Sequence, residues 1–212
     1  MQEQGRFITF EGIDGSGKTT QMRRLAERLR AEKHDVFETV EPGGTAVGQQ
    51  IRRILLDSAN EDLRPTAELL LYFASRAQNV EQCILPALRA GKIVLSDRFT
   101  DSTLAYQGYA RGLGQETVLT LDRIACQGLT PALTLLIDVD LDTALARTRE
   151  RNASSPTAET RLDDESREFH RKVREAYLSI ARQNANRFRV IDGRGAPDDV
   201  AARVWENVLA HV

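Results

Sequence analysis

Apolar positions along the 212-residue chain follow two rhythms. Short runs rich in β-branched and aromatic residues stand at 7–10, 36–40, 93–95, 133–137 and 188–191. Several are continuously apolar, the pattern of strands buried on both faces. Between them apolar residues recur at helical spacing. Met22, Leu25, Ala26 and Leu29 form one such set, and Val47, Ile51, Ile54 and Leu55 another. A third helix is predicted from Pro65, a suitable first helical residue, to about Gln82, and a short one at 86–90 before Gly91. Further helices are predicted over 117–126, 141–151, 166–185 and 197–210, with 104–114 partly helical and punctuated by glycine. The Pro65 helix holds five consecutive apolar residues, Leu69, Leu70, Leu71, Tyr72 and Phe73, which predicts burial on more than one side, in the core or against a second subunit.

Strands alternating with helices predict an α/β fold, a five-stranded parallel sheet with helices on both faces. Ligands of such sheets bind at the carboxyl ends of the strands. That rule gathers the turn after Phe10, Glu41 to Thr45, Asp97-Arg98, Asp138 and Asp192 into one cleft. The chain has no internal repeat, and its length predicts one domain, 1–212, with a mobile arginine-bearing lid at about 147–163.

The turn after the first strand carries the chemistry. Gly12, Ile13, Asp14, Gly15, Ser16, Gly17, Lys18 and Thr19, followed by Thr20, read G-x-x-x-x-G-K-[ST] between a strand and a helix, the phosphate-binding loop. Glycines let successive backbone N–H groups face one anion, and the helix start adds unpaired N–H groups and its dipole. Lys18 is placed to reach the β- and γ-phosphates of ATP, and the Thr19 hydroxyl to hold Mg²⁺. Asp97 and Asp138 both end strands and both suit the metal; Asp97 is preferred because Arg98 beside it adds a phosphate-binding guanidinium. Asp14, inside the loop, suits Mg²⁺, a substrate hydroxyl or an Asx turn. Tyr72 and Phe73 each share a helix face with Arg76, a geometry that stacks a base or simply fills the core. Thr103, Tyr106 and Gln107 read as a surface loop near a strand end. Arg147, Arg149, Arg151 and Arg161 flank a polar loop at 152–160, either as a solvated face or as a lid supplying cations to a transferring phosphoryl group.

Composition narrows the classes. A net charge of −2 gives no electrostatic case for nucleic acid. Cys83 and Cys126 lack metal or redox spacing and are expected to be buried free thiols; the three histidines, His34, His170 and His211, form no cluster. No apolar run reaches membrane-spanning length, and the first six residues lack the pattern of a signal peptide, so a cytoplasmic protein is expected.

Six motifs in order, E-G-I-D-G-S-G-K-T-T, E-P-G-G-T, L-Y-F-A-S-R, D-R-F, A-Y-Q-G and R-L-D-D-E-S, make the chain resemble the bacterial thymidylate kinases. The resemblance implies transfer of the ATP γ-phosphate to dTMP, giving dTDP and ADP. It implies that Asp14 meets the sugar 3′-hydroxyl, that Pro42 and Gly44 belong to the dTMP pocket, and that Tyr72 or Phe73 stacks on thymine. Arg76 then reads the base together with Thr103 and Gln107, with Tyr106 among them. Arg98 clamps the dTMP phosphate, and Arg161 is the lid arginine. A homodimer through the Pro65 helix and its neighbours is also implied. Two positions depart from the family: Val40 stands where many relatives have arginine, and the 152–160 stretch is longer. The competing expectations are a kinase of another small monophosphate and an ATP-dependent switch protein.

Overall fold

The computed structural model describes residues 5–154 and 160–209. The first four residues, the 155–159 part of the expected lid and loop, and the last three with His211 lie outside the described residues.

Five strands form as the runs predict: β1 (Arg6–Glu11), β2 (Val36–Val40), β3 (Ile93–Asp97), β4 (Leu133–Asp138) and β5 (Phe188–Asp192). They make one parallel sheet in the order β2-β3-β1-β4-β5. Alternation along β1 sends Ile8 and Phe10 to one face and Phe7 to the other. The first face packs on α1 (Lys18–Ala31) and α9 (Pro197–Val208) through Met22, Leu25, Leu29, Val204 and Trp205. The second packs on α3 (Pro65–Asn79), α6 (Gln115–Cys126) and α8 (Arg167–Gln183) through Leu69, Phe73, Val118, Val173 and Tyr177.

Register fixes the site. Phe10 and Val40 both lie opposite Asp97, so the turns after β1, β2 and β3 leave the sheet at the same level. The chain winds from β1 to one side through β2 and β3, then crosses to β4, which puts the phosphate loop at the switch point.

Helix boundaries shift where tertiary contacts outweigh local signals. The Pro65 helix and the short helix near Pro86 are one continuous run, in which α3 passes through a π-helical turn (Val80–Ile84) into α4 (Leu85–Arg89). Proline removes a backbone donor, and the Leu85 N–H reaches back to the Val80 carbonyl in the wider π pattern. A second π-helical run, Leu104–Ala110, follows the one-turn α5 (Thr100–Thr103). It buries A-Y-Q-G, so the expected surface loop is corrected to part of the core: Thr103, Tyr106 and Gln107 are 1%, 3% and 1% exposed. E-P-G-G-T ends in a cap, since Thr45 Oγ1 accepts the Gly48 N–H at the start of α2 (Ala46–Leu56). α7 (Leu141–Ser154) runs past Arg151, and Ser166 caps α8 by accepting the Phe169 N–H. Cys126 is buried as expected, but Cys83 is only half-buried. Among the described residues no helix is long and apolar enough to cross a membrane.

Candidate active site

The phosphate loop takes its shape from left-handed glycines, Gly15 at φ +78° and Gly17 at φ +94°, the latter immediately before α1. Gly15 also permits a close approach, because a Cβ there would strike the Ala144 carbonyl and Thr148 hydroxyl of α7. One face of α7 therefore rests on the loop and brings Arg147 to Gly17, where both of its Nη groups approach the Gly193 carbonyl. Ile13 is buried in the core beneath the loop, and Thr20 points to solvent. The Ser16 hydroxyl, 1% exposed, has no partner among the described residues.

Thr19 Oγ1 donates to Asp97 Oδ2, so the helix start and the end of β3 meet at one point. Asp138 is not there; Arg174 holds it with paired bonds of 2.7 and 2.8 Å, so of the two strand-end acids it is Asp97 that meets the loop hydroxyl. Among the described residues no three His, Cys, Asp or Glu side chains gather as a complete metal cage. A hydroxyl and one carboxylate beside a phosphate loop fit Mg²⁺, an ion that keeps waters and takes substrate phosphate oxygens.

Arg98 follows Asp97 with φ +72°, a strained value for a residue with a Cβ. Its Nη2 donates to Asp14 Oδ1 at 2.7 Å, and Lys18 Nζ stands 3.7 Å from the same oxygen. The Tyr106 hydroxyl donates to Asp14 Oδ2 at 2.8 Å. Burial pushes the Asp14 carboxyl up, but Arg98 and Lys18 outweigh it and hold the group well below the usual carboxylate range. Burial and the Arg98 charge lower Lys18, against the pull of Asp14.

Arg76 and its neighbours line the same cleft as Arg98, a region termed the second bay. Arg76, 1% exposed, donates through Nε to Glu41 Oε2 at 2.5 Å and through Nη2 to Thr103 Oγ1 at 2.9 Å. Its Nη1 has no partner among the described residues. Tyr72 lines this bay with Pro42, Thr103, Tyr106 and Gln107. Phe73 does not; it is in the core, 5.0 Å from the Arg76 guanidinium, so its expected place in the site is corrected, and of the two aromatics Tyr72 is the one on the cleft. Gly44 is also set back from the bay, where a side chain would collide with Asn79 and Thr39.

The lid arginines are rearranged relative to expectation. Arg161 does not reach the cleft. Its Nε donates to the Leu55 carbonyl at 2.5 Å and its Nη2 to Glu68 Oε2 at 2.6 Å. Glu68, wholly buried, also receives Gln107 and Arg111. A buried carboxylate collects cations because desolvation without partners is costly. Arg161→Ala is expected to cost about 3 kcal/mol of stability, read by urea unfolding. A variant of unchanged stability with reduced kcat would restore the lid role. Arg151 is the described lid arginine that lines the cleft, paired at 2.5 Å with Asp163.

Lys18, the Asp97–Arg98 pair and the Arg76 bay open onto one cavity of about 610 Å³, inside the range for small-molecule sites. Lys18, Arg76, Arg98 and Arg151 line it, and so do Arg23 and Arg52, which sequence reasoning missed. Arg52 Nη1 donates to the Pro42 carbonyl at 3.1 Å, on the side where Val40 leaves the expected charge missing.

A phosphate loop at the switch point, an Asp-Arg pair one strand away and a second bay in the same cavity define a P-loop kinase of the nucleoside monophosphate type. The sequence model of the thymidylate kinase family matches residues 10–204, and the chain belongs to that family. It is 51% identical over 207 residues to the thymidylate kinase of Pelobacter propionicus, covering 97% of this chain and 94% of that one. It is 52% identical over 200 residues to that of Syntrophotalea carbinolica, covering 94% and 93%. The crystal structure of thymidylate kinase from Ehrlichia chaffeensis superposes with a TM-score of 0.78 at 33% identity, covering 96% and 98% of the two chains.

Proposed function

We propose that this cleft transfers the γ-phosphoryl group of ATP to dTMP, with the ATP phosphates on the Gly12–Thr20 loop and dTMP in the bay beside Arg98. The observation that carries the reading is the single Asp14 oxygen shared by Lys18, at 3.7 Å, and Arg98, at 2.7 Å. Two cationic groups, one from each phosphate site, stand against one carboxylate. The acceptor oxygen of a monophosphate is already anionic, so no strong base is required, and positioning with charge neutralisation suffices. Lys18 holds the transferring group and Arg98 the acceptor phosphate. Asp14 stays ionised and accepts from the sugar hydroxyl, and the unpartnered Nη1 of Arg76 meets a base carbonyl above which Tyr72 stacks. Mg²⁺, held by Thr19 and Asp97, would neutralise charge on the β- and γ-phosphates. Arg151, and Arg147 at the loop, bring further cations from α7. Such a kinase works in the cytoplasm, where ATP is made available.

A phosphotransfer assay with dTMP, dUMP, AMP and CMP tests the reading. Preference for dTMP is expected; equal or better turnover of AMP or CMP would defeat it, and ATP hydrolysis with no acceptor would favour a switch.

The homodimer is part of the same proposal. α2, α3 and α6 expose Ile54, Leu70 and Ile124 at 46%, 51% and 73%. Leu69 and Phe73 turn inward, so Leu70 is the outward member of the apolar run. Sedimentation equilibrium at micromolar concentration is expected to give twice 23.7 kDa, and a monomer mass would remove the dimer.

A further inference from the structure

Directly behind the phosphate loop lies a carboxylate that the transfer itself does not touch. Glu11, the last residue of β1, is wholly buried. Its Oε1 accepts the Phe99 N–H at 2.8 Å, and its Oε2 accepts the Ser102 and Tyr177 hydroxyls at 2.5 and 2.9 Å. Those two hydroxyls are also where Arg98 ends: Nη1 donates to Ser102 Oγ at 3.0 Å and to Tyr177 OH at 3.1 Å. The hydroxyls are 2.7 Å from each other. Three contacts among Glu11 Oε2 and the two hydroxyls share two hydroxyl hydrogens, so at least one hydrogen goes to Glu11, and each hydroxyl keeps a lone pair for the guanidinium.

We propose that Glu11 is a positioning residue for phosphoryl transfer, its carboxylate orienting the Ser102 and Tyr177 hydroxyls so that they fix the Arg98 guanidinium at the acceptor phosphate. The inference rests on the reading of Arg98 as the acceptor clamp. Arg98 needs such support because its backbone is held at φ +72° and its other Nη contacts Asp14, which the substrate itself engages. Tyr177 belongs to α8, the helix after the lid segment, so the same hydroxyl ties that helix to the clamp.

The charge state of Glu11 matters to this arrangement. It is faced by Asp101 and Ser102 of α5, by Arg98 and the Phe99 N–H after β3, and by Tyr177 of α8. Lys18 at the start of α1 and Arg187 ahead of β5 also act on it. Burial, with Asp101 adding to it, raises the carboxyl to about 7. A proton on Glu11 puts a third hydrogen among oxygens that share two, and removes the charge that draws the hydroxyl hydrogens away from Arg98. Activity toward dTMP is therefore gained as pH rises through about 7.

The test is Glu11→Gln, assayed for kcat/KM of dTMP from about pH 6 to 9. The amide places a donor against either Phe99 N–H or the two hydroxyls, whichever way it is turned. At about pH 8 kcat/KM for dTMP is expected to fall about tenfold or more, the scale of one lost hydrogen bond to a charged group. The step near pH 7 should vanish, leaving only the phosphate ionisation of dTMP near about 6. A folded Glu11→Gln variant with wild-type kcat/KM and a wild-type step would overturn the proposal. If that variant does not fold, Tyr177→Phe decides: a raised KM for dTMP with unchanged ATP affinity supports it, and wild-type kinetics overturn it. Arg98→Ala separates the two levels. A crippled Arg98→Ala beside an unaltered Glu11→Gln ends only this inference; an unaltered Arg98→Ala ends the clamp reading beneath it.

Discussion

Lys18→Ala lowers kcat/KM for phosphoryl transfer by about a thousandfold or more, while the far-ultraviolet dichroism and melting curve stay close to wild type. Catalysis of this kind has little covalent chemistry for the protein to perform, so a cation at the transferring group is most of what the loop side chains contribute. Removing one preorganised stabilising group costs about 10²–10³ in comparable sites, and the loop itself supplies no second cation, since Ile13, Asp14, Gly15 and Ser16 are not basic. Stability is spared because Asp14 keeps Arg98 at 2.7 Å when Lys18 is gone, so no carboxylate is left unpaired. The Lys18 side chain belongs to neither apolar cluster. Near-normal turnover in a folded variant would remove the loop from the active site.

Arg98→Ala has an effect of similar size with a different signature. The guanidinium donates to Gly12, Ser102, Tyr177, Asp14 and Tyr106, and its loss leaves the Asp14 carboxylate with the Tyr106 hydroxyl and with Lys18 as its one remaining cationic partner among the described residues. The loss of kcat/KM should appear when dTMP is varied at saturating ATP, at about 10²–10³-fold. Stability falls as well, by about 3 kcal/mol, the scale for breaking a buried charge pair. Arg98→Lys is not expected to recover activity, because an ammonium cannot replace a planar fork that serves several acceptors at once. Equal losses when ATP rather than dTMP is limiting would place Arg98 on the donor side of the cleft.

Much of this arrangement was legible before folding. The phosphate loop declares itself because its chemistry depends on fixed local spacing, and the strands do so because burial on both faces leaves continuous apolar runs. What local pattern leaves open is the rotation of a helix and the identity of distant partners. Tyr72 and Phe73 sit at i+4 and i+3 from Arg76, and only the packing of α3 against the sheet sends Phe73 inward and Tyr72 to the cleft. Arg161 opens the R-L-D-D-E-S motif, yet its partner is Glu68, a buried carboxylate 93 positions earlier that no window around the motif contains. The π-helical runs at Val80–Ile84 and Leu104–Ala110 are equally invisible to periodicity, because their spacing is set by what they pack on. Arg52 reaches the cleft from α2 and bonds the Pro42 carbonyl, a placement with no signature along the chain.

The central claim is that two phosphate sites share one crevice on this rim of the sheet. A bisubstrate nucleotide, adenosine and thymidine joined through five phosphates, tests it in one titration calorimetry experiment. The account predicts one molecule bound per chain, competitive with both ATP and dTMP, and binding weakened by either Lys18→Ala or Arg98→Ala. Displacement of ATP alone, with dTMP still binding at full affinity, would contradict it.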